Sequence, residues 1–282
     1  MLTDAHCHPC DLLFVLPNAE QERINILLHN GENGVIAAAS AWNADDFAYN
    51  ETLARNAEKD GQAPLFQCFG IHPQLPAIYS EKGKQFKDAD LTASMEFLYS
   101  TAENKKINAV GEFGFDLFND SFKETEKIQD KIFEAHLEAA INNGLPAVLH
   151  VRRAMHKIFL HAKNLCRCKA VIFHSWPGSY EEALSILKHG INAYFSFGNT
   201  ILCNHKQAIR SCALLPSQRL LTETDTPFQP RRGEQFSNWK DLLPILETAA
   251  KLRTEAGNKI GVKDIELQIE ANFKNIFSFS TL

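Results

Sequence analysis

Eight short apolar runs, each separated from the next by a stretch long enough to hold a helix, constrain this chain more than any other feature. They are Leu2–Asp4, Val35–Ser40, Leu65–Gly70, Ala109–Glu112, Ala147–His150, Ala170–His174, Ala193–Ser196 and Leu220–Glu223. None shows clean polar alternation, which is the pattern of parallel strands buried on both faces. Between them, Gln129–Asn143 carries Ile132, Phe133, Leu137, Ala140 and Ile141 at helical spacing, and Gly144 with Pro146 ends it. Ser179–His189 reads the same way with Gly190 beyond it, as do Leu91–Asn104, Leu242–Leu252 and Ile265–Phe277. Strand and helix in alternation imply a parallel sheet with right-handed crossovers. No glycine-rich phosphate loop follows an early strand, which removes the main reason to prefer an open doubly wound sheet. Eight strands in 282 residues suit a TIM-type (β/α)8 barrel, which uses roughly 250. The expectation is an α/β protein with one domain over residues 1–282. The longest interruption, Pro76–Lys106, should begin as an extended loop.

The formal charge of -5 argues against broad, non-specific binding of duplex nucleic acid. Two local basic clusters stand out against it, Arg152 with Arg153 and Lys157, and Arg231 with Arg232. The 7 cysteines are an odd number and form no repeated CxxC pattern, so a reducing, cytoplasmic location is expected. Cys7, between His6 and His8, should point to the opposite strand face and pack in an apolar layer. No signal-like leader opens the sequence and no apolar run approaches the ~18 residues of a membrane span. Nothing in the pattern calls for an obligate partner, and a monomer is the default.

A barrel of this kind carries its chemistry at the C-terminal ends of its strands. There the first run continues into Asp4-Ala5-His6-Cys7-His8, whose two imidazoles would share one face. The fourth ends in Glu112 within Val110-Gly111-Glu112-Phe113-Gly114-Phe115-Asp116, and a buried carboxylate there costs several kcal/mol unless paired or metal-bound. The fifth ends in His150, the sixth in His174, and the eighth reads Thr222-Glu223-Thr224-Asp225-Thr226-Pro227, again placing acids at the end of an apolar run. A lone histidine is more often a hydrogen-bonded core residue than a ligand. Five strand ends carrying such groups together point instead to a centre for Zn2+, Mn2+, Fe2+ or Mg2+. With one bridging carboxylate, six ligands can hold two ions, and an aspartate not fully occupied could accept the proton of an attacking water. His29, His136, His156, His161, His189 and His205 receive no role.

These segments, with Gly70-Ile71-His72-Pro73, Leu145–Arg152, His174–Ser179 and Leu220–Pro227, resemble in order the TatD family of metal-dependent deoxyribonucleases, within the amidohydrolase superfamily. The resemblance runs from Asp4 to Phe277. It implies that His6, His8 and Asp225 hold one divalent ion (Mg2+, Mn2+ or Zn2+), that His150 and His174 hold a second, and that Glu112 bridges them. It also implies that Asp225 takes the proton of the attacking water, while His72 and Arg152 contact the substrate. Asp4, Asp116 and Glu223 would support the ligands, and Asn272 would be a structural hydrogen-bonder. Arg153 stands where the family is usually acidic, and Ser175-Trp176-Pro177 departs from its sixth-strand motif. The activity implied is hydrolysis of DNA, a 3′–5′ exonuclease on single-stranded ends, with Trp176 or Phe228 stacking a base. The alternatives for the same site are a small-molecule phosphoesterase, a lactonase or an aminoacyl-ester deacylase, and last a non-catalytic binding scaffold.

Overall fold

The computed structural model describes residues 1–15, 34–82 and 88–277; His29 lies outside them. Eight strands follow the expected order: β1 (Leu2–Cys7), β2 (Val35–Ala41), β3 (Leu65–Phe69), β4 (Ala109–Asp116), β5 (Ala147–Arg152), β6 (Val171–Phe173), β7 (Ala193–Phe197) and β8 (Leu220–Thr222). Each pairs in parallel with its neighbour in sequence. The last edge meets the first through Asp225 N–H donating to His6 O at 3.0 Å and His8 N–H donating to Thr226 O at 2.8 Å. Thr222 Oγ1 adds a bond to Thr3 O at 2.8 Å, and the Asp4 carboxylate accepts from Thr224 N and Oγ1 across the same seam. The sheet is therefore a closed (β/α)8 barrel.

Two apolar layers form on its two faces. Ala5, Ala38, Cys68, Val148, Ile172 and Leu221 pack in one buried cluster that Phe273 and Phe277, from the end of the last helix (Val262–Ile276), join. A larger cluster, including Val110, Leu149, Phe173 and Phe195, packs with the surrounding helices. Cys7 lies with Ala37, Ala39 and Trp239 and donates to Ala38 O at 3.4 Å, as expected of a packed thiol rather than a ligand. Asn272 is also structural: its Nδ2 donates to Ser217 O and Leu220 O at 2.7 and 2.8 Å, tying the last helix to the start of β8.

Two bulges aim the site. Asp4 pairs with Ala37 but Cys7 with Ala39, so β1 holds one more residue than β2 over that interval. In β4, Val110 pairs with Ala147 and Phe113 with Leu149. Val110 and Phe113 consequently face the same outer cluster although three residues apart, and Glu112 is left to turn into the barrel mouth. Close approach of β5 is what the glycines of β4 permit. A Cβ on Gly114, whose φ is +147°, would stand 2.0 Å from His150 O.

The connection after β3 differs from expectation. Instead of an extended loop it opens as a helix, Leu75–Glu81, and Pro76 sits in that helix's first turn, where its missing N–H costs nothing.

His136, on the helix Glu126–Asn142, anchors the start of this connection. Its Nδ1–H donates to Ile132 O at 2.8 Å and its Nε2 accepts from Ile71 N–H at 2.9 Å. A proton on Nε2 would set two donors against each other, and burial lowers the imidazole from 6.5 to about 3. Because the unfolded chain binds that proton first, the contribution is complete above about pH 6.5 and is lost as pH falls toward 3. The loss approaches about 1.4 kcal/mol per pH unit. His136→Gln should therefore show a shallower loss of urea stability between pH 7 and pH 5 than wild type. Equal slopes would remove His136 from the acid response.

Candidate functional site

All six expected ligands, with His72, converge at the C-terminal mouth of the barrel. Glu112 is 4% exposed, so its carboxylate is satisfied only by what surrounds it. Oε1 meets His150 Nδ1 at 2.7 Å, His174 Nε2 at 2.7 Å and His72 Nε2 at 3.3 Å. Oε2 meets His6 Nε2 at 3.1 Å and His8 Nε2 at 3.5 Å. Asp225 Oδ1 lies 3.5 Å from His8 Nε2 and 3.7 Å from His6 Nε2. The His6 and His8 Nε2 atoms are 3.0 Å apart. Among the described residues, three groups have ligand atoms within 4.8 Å of one another: His6, His8 and Asp225; His6, Glu112 and His174; and His72, Glu112 and His150. Imidazole nitrogens crowded on carboxylate oxygens are the donor set of a borderline divalent cation. The residues fit metal.

The surrounding bonds hold these rings. Ser40 Oγ lies 3.2 Å from His6 Nδ1, and Asp116 Oδ2 lies 3.1 Å from His150 Nε2. Gln74 Nε2 donates to the same Asp116 oxygen at 2.6 Å, whereas Glu223 Oε1, 3.6 Å from His174 Nδ1, is near that ring without a hydrogen bond to it. Such partners orient the ring and raise its basicity toward a metal. Asp116 thus stands behind His150, and Asp4 Oδ1 accepts from His6 N–H at 3.2 Å.

Burial alone would raise Glu112, but the imidazoles of His174, His72 and His6 outweigh it and hold the carboxyl well below its ordinary range. Burial would lower His8, yet hydrogen bonds to Asp225 and Glu112 push it up to about 10. His174 is raised well above its usual value against burial, chiefly by Glu112. His6 and His72 move down, burial being the main cause in both. The carboxylates therefore keep protons on some of the rings, and a cation binds by displacing them, so affinity should rise with pH.

The site opens into a cavity of about 580 Å³ lined by residues that include Asp11, Trp42, Arg152, Thr200, His205 and Phe228.

Comparison with known proteins places this geometry. A sequence profile for TatD related DNase matches residues 3–278. The chain belongs to the TatD family. A metal-dependent hydrolase of Escherichia coli, YjjV, itself uncharacterized, is 30% identical over 265 residues, which is 91% of this chain and 92% of YjjV. The 3′-5′ ssDNA/RNA exonuclease TatD of Pantoea ananatis is 28% identical over 243 residues, 81% of this chain and 85% of its own. The crystal structure of YjjV superposes with a TM-score of 0.79 at 26% identity, covering 99% of this chain and 98% of that one. The protein is accordingly an enzyme, a metal-dependent hydrolase of the TatD type.

Within this TatD barrel several side chains stand elsewhere than the sequence suggested. Trp176 is 1% exposed; its Nε1–H donates to Ser211 Oγ at 3.3 Å and its ring packs edge-on to Phe173 and Phe195. It has no free face for a base. Phe228 remains 45% exposed, its ring 5.3 Å from that of His8. Lys157 leaves the basic cluster to pair with Glu126 at 2.6 Å and Asp130 at 2.9 Å. Arg231 is likewise taken up, by Glu234 and Asp241. Arg152 and Arg153 keep their place: both guanidiniums lie over the Phe118 ring, 3.6 and 4.7 Å from its centroid. His72 lines the cavity and also stands in one of the three groups, with Glu112 and His150, and His205 lines the cavity though it had been given no role. Gln74, Ser40 and Gln229 were not foreseen; no local pattern distinguishes them from ordinary polar loop residues.

Proposed function

We propose that this TatD-family protein is a two-metal 3′–5′ exodeoxyribonuclease acting on single-stranded ends, a single catalytic domain at work in a reducing cytoplasm. Its free thiols suit that compartment, and no helix among the described residues is long and apolar enough to cross a membrane. In this reading His6, His8 and Asp225 would hold one cation and His150 and His174 the other, with Glu112 shared between the two sites. The two ions, Mg2+, Mn2+ or Zn2+, would polarise the scissile phosphoryl group and bring a water's pKa toward neutrality.

The rest falls to the chain's own groups. Asp225 accepts the water's proton. His72 holds an oxygen of the scissile phosphate. Arg152, whose Nη1 comes no nearer than 4.0 Å to Asp116 Oδ2, holds a second. The observation that carries the substrate class is the cavity's rim. An exposed Phe228 stands beside His8, and Arg152, its guanidinium over Phe118, lines the same cavity, so a stacking face and a phosphate-binding group flank one metal site. A narrow basic rim on an acidic protein suits one strand end better than a duplex. The exonuclease name of the Pantoea ananatis relative is consistent with it.

A single-stranded DNA oligonucleotide labelled at its 5′ end, incubated with Mg2+ and then Mn2+, should shorten stepwise from its 3′ end. Inertness toward DNA together with turnover of a small phosphoester or acyl ester would move the assignment to a small-molecule hydrolase. Phe228→Ala should weaken single-strand binding by about 1–3 kcal/mol, roughly 5- to 150-fold in Kd. Unchanged affinity would remove Phe228 from stacking.

A further inference from the structure

We infer that Gln229 is a positioning residue for Asp225, held in its working orientation by Ser175, so that Asp225 presents one carboxylate oxygen to the cation site. The inference rests on the metal-site part of the proposed function and adds two residues to it. Gln229 Nε2 donates to Asp225 Oδ2 at 2.7 Å, and Ser175 Oγ donates to Gln229 Oε1 at 2.8 Å. The other oxygen of Asp225, Oδ1, faces His8 and His6.

The orientation of the amide follows from its partners. An ionised carboxylate only accepts, so the NH2 end of Gln229 must face Asp225 and its oxygen must face Ser175. The serine hydroxyl, which can rotate, then has to donate. With Oδ2 held by the amide, the carboxylate is fixed in the orientation that presents Oδ1 toward His8 and His6.

The arrangement is built from three strand ends at once: Ser175 follows β6, Asn199 follows β7, and Asp225 and Gln229 follow β8. Asn199 is 2% exposed; its Nδ2 donates to Gln229 O at 3.1 Å and to Asp241 Oδ2 at 3.0 Å. Gln229 is thereby gripped by main chain and side chain together. Ser175, Asp225 and Gln229 all adopt left-handed φ angles, 43°, 51° and 55°. Non-glycine residues keep that conformation only where their surroundings enforce it. Here the enforced result is a hydrogen bond to a candidate ligand.

Removing the outer partner of a ligating group typically costs 10–100-fold in metal affinity or activity. The test is calorimetric titration of Mn2+ into metal-free protein without substrate, for wild type, Gln229→Met, Ser175→Ala and the double variant. Gln229→Met keeps the length of the side chain and removes the donor. It should weaken Mn2+ binding about 10- to 100-fold while the metal-free protein unfolds as wild type does. Ser175→Ala should weaken it less. The double variant should be no weaker than Gln229→Met, because Ser175 acts through Gln229. Unchanged Mn2+ affinity in either single variant, or additive losses in the double, would overturn the inference. If Gln229→Met does not fold, Ser175→Ala decides alone. A wild type that binds Mn2+ but leaves DNA intact counts against the substrate assignment and leaves this comparison readable.

Discussion

Asp225→Asn is expected to reduce hydrolysis by on the order of 10³- to 10⁴-fold while leaving the barrel folded. The substitution conserves shape, and the seam bond at this position is made by the backbone, Asp225 N–H to His6 O, so closure of the barrel is retained. Asparagine also tolerates the left-handed φ of 51° found here. What is lost is negative charge between His6 and His8 and the group that accepts the water's proton. Burial would raise the Asp225 carboxyl, but the hydrogen bond from His8 and the nearby imidazoles hold it below its ordinary value, so it is ionised at neutral pH. Single-turnover cleavage of a labelled single strand, compared with an unfolding curve for each protein, checks the point. A folded Asp225→Asn protein that cleaves at the wild-type rate would take Asp225 out of the chemistry.

Glu112→Gln should cost as much by another route. Both candidate oxygens of Glu112 serve imidazoles, three on Oε1 and two on Oε2. An amide replaces one of those acceptors with a donor and removes the charge that the two proposed cation sites share. The expectation is a fall in bound Mn2+ per chain and a loss of activity of several kcal/mol, on the order of 10³-fold. Chelation of the wild type should reproduce the loss, and added Mn2+ should restore the wild type but not the variant. Full metal content with full activity in Glu112→Gln would reject the bridging role.

The order of the barrel was legible because it is written locally. A buried parallel strand needs a short apolar run whatever surrounds it, and the helices announce themselves by spacing and by stops such as Gly144-Pro146. The candidate ligands were legible for a related reason. His6, His8, Glu112, His150, His174 and Asp225 are costly groups at the ends of apolar runs, and although any one alone would more often be a satisfied core residue, five strand ends carrying them together are not explained that way. Pro76 misled because proline is also at home in the first turn of a helix, and the sequence does not distinguish that position from a loop. Trp176 misled because its place beside the sixth strand's end says nothing of which way the ring turns.

The sequence by itself determined the element order, the barrel and the identity of the metal-compatible residues, since each follows from residue type and near neighbours. Only the tertiary structure decided how those residues are aimed. Bulges in β1 and β4 shift the two-residue alternation, so simple alternation from Val110 would have turned Phe113 inward. The pairing that creates each bulge lies with a partner strand distant in sequence. It also decided which charges remain available: Lys157 is taken by Glu126 and Asp130, whereas Arg152 lines the cavity. The Ser175–Gln229–Asp225 chain depends on three loops meeting. Hydrogen bonds of that kind are set by distances that a sequence does not contain until the barrel has closed.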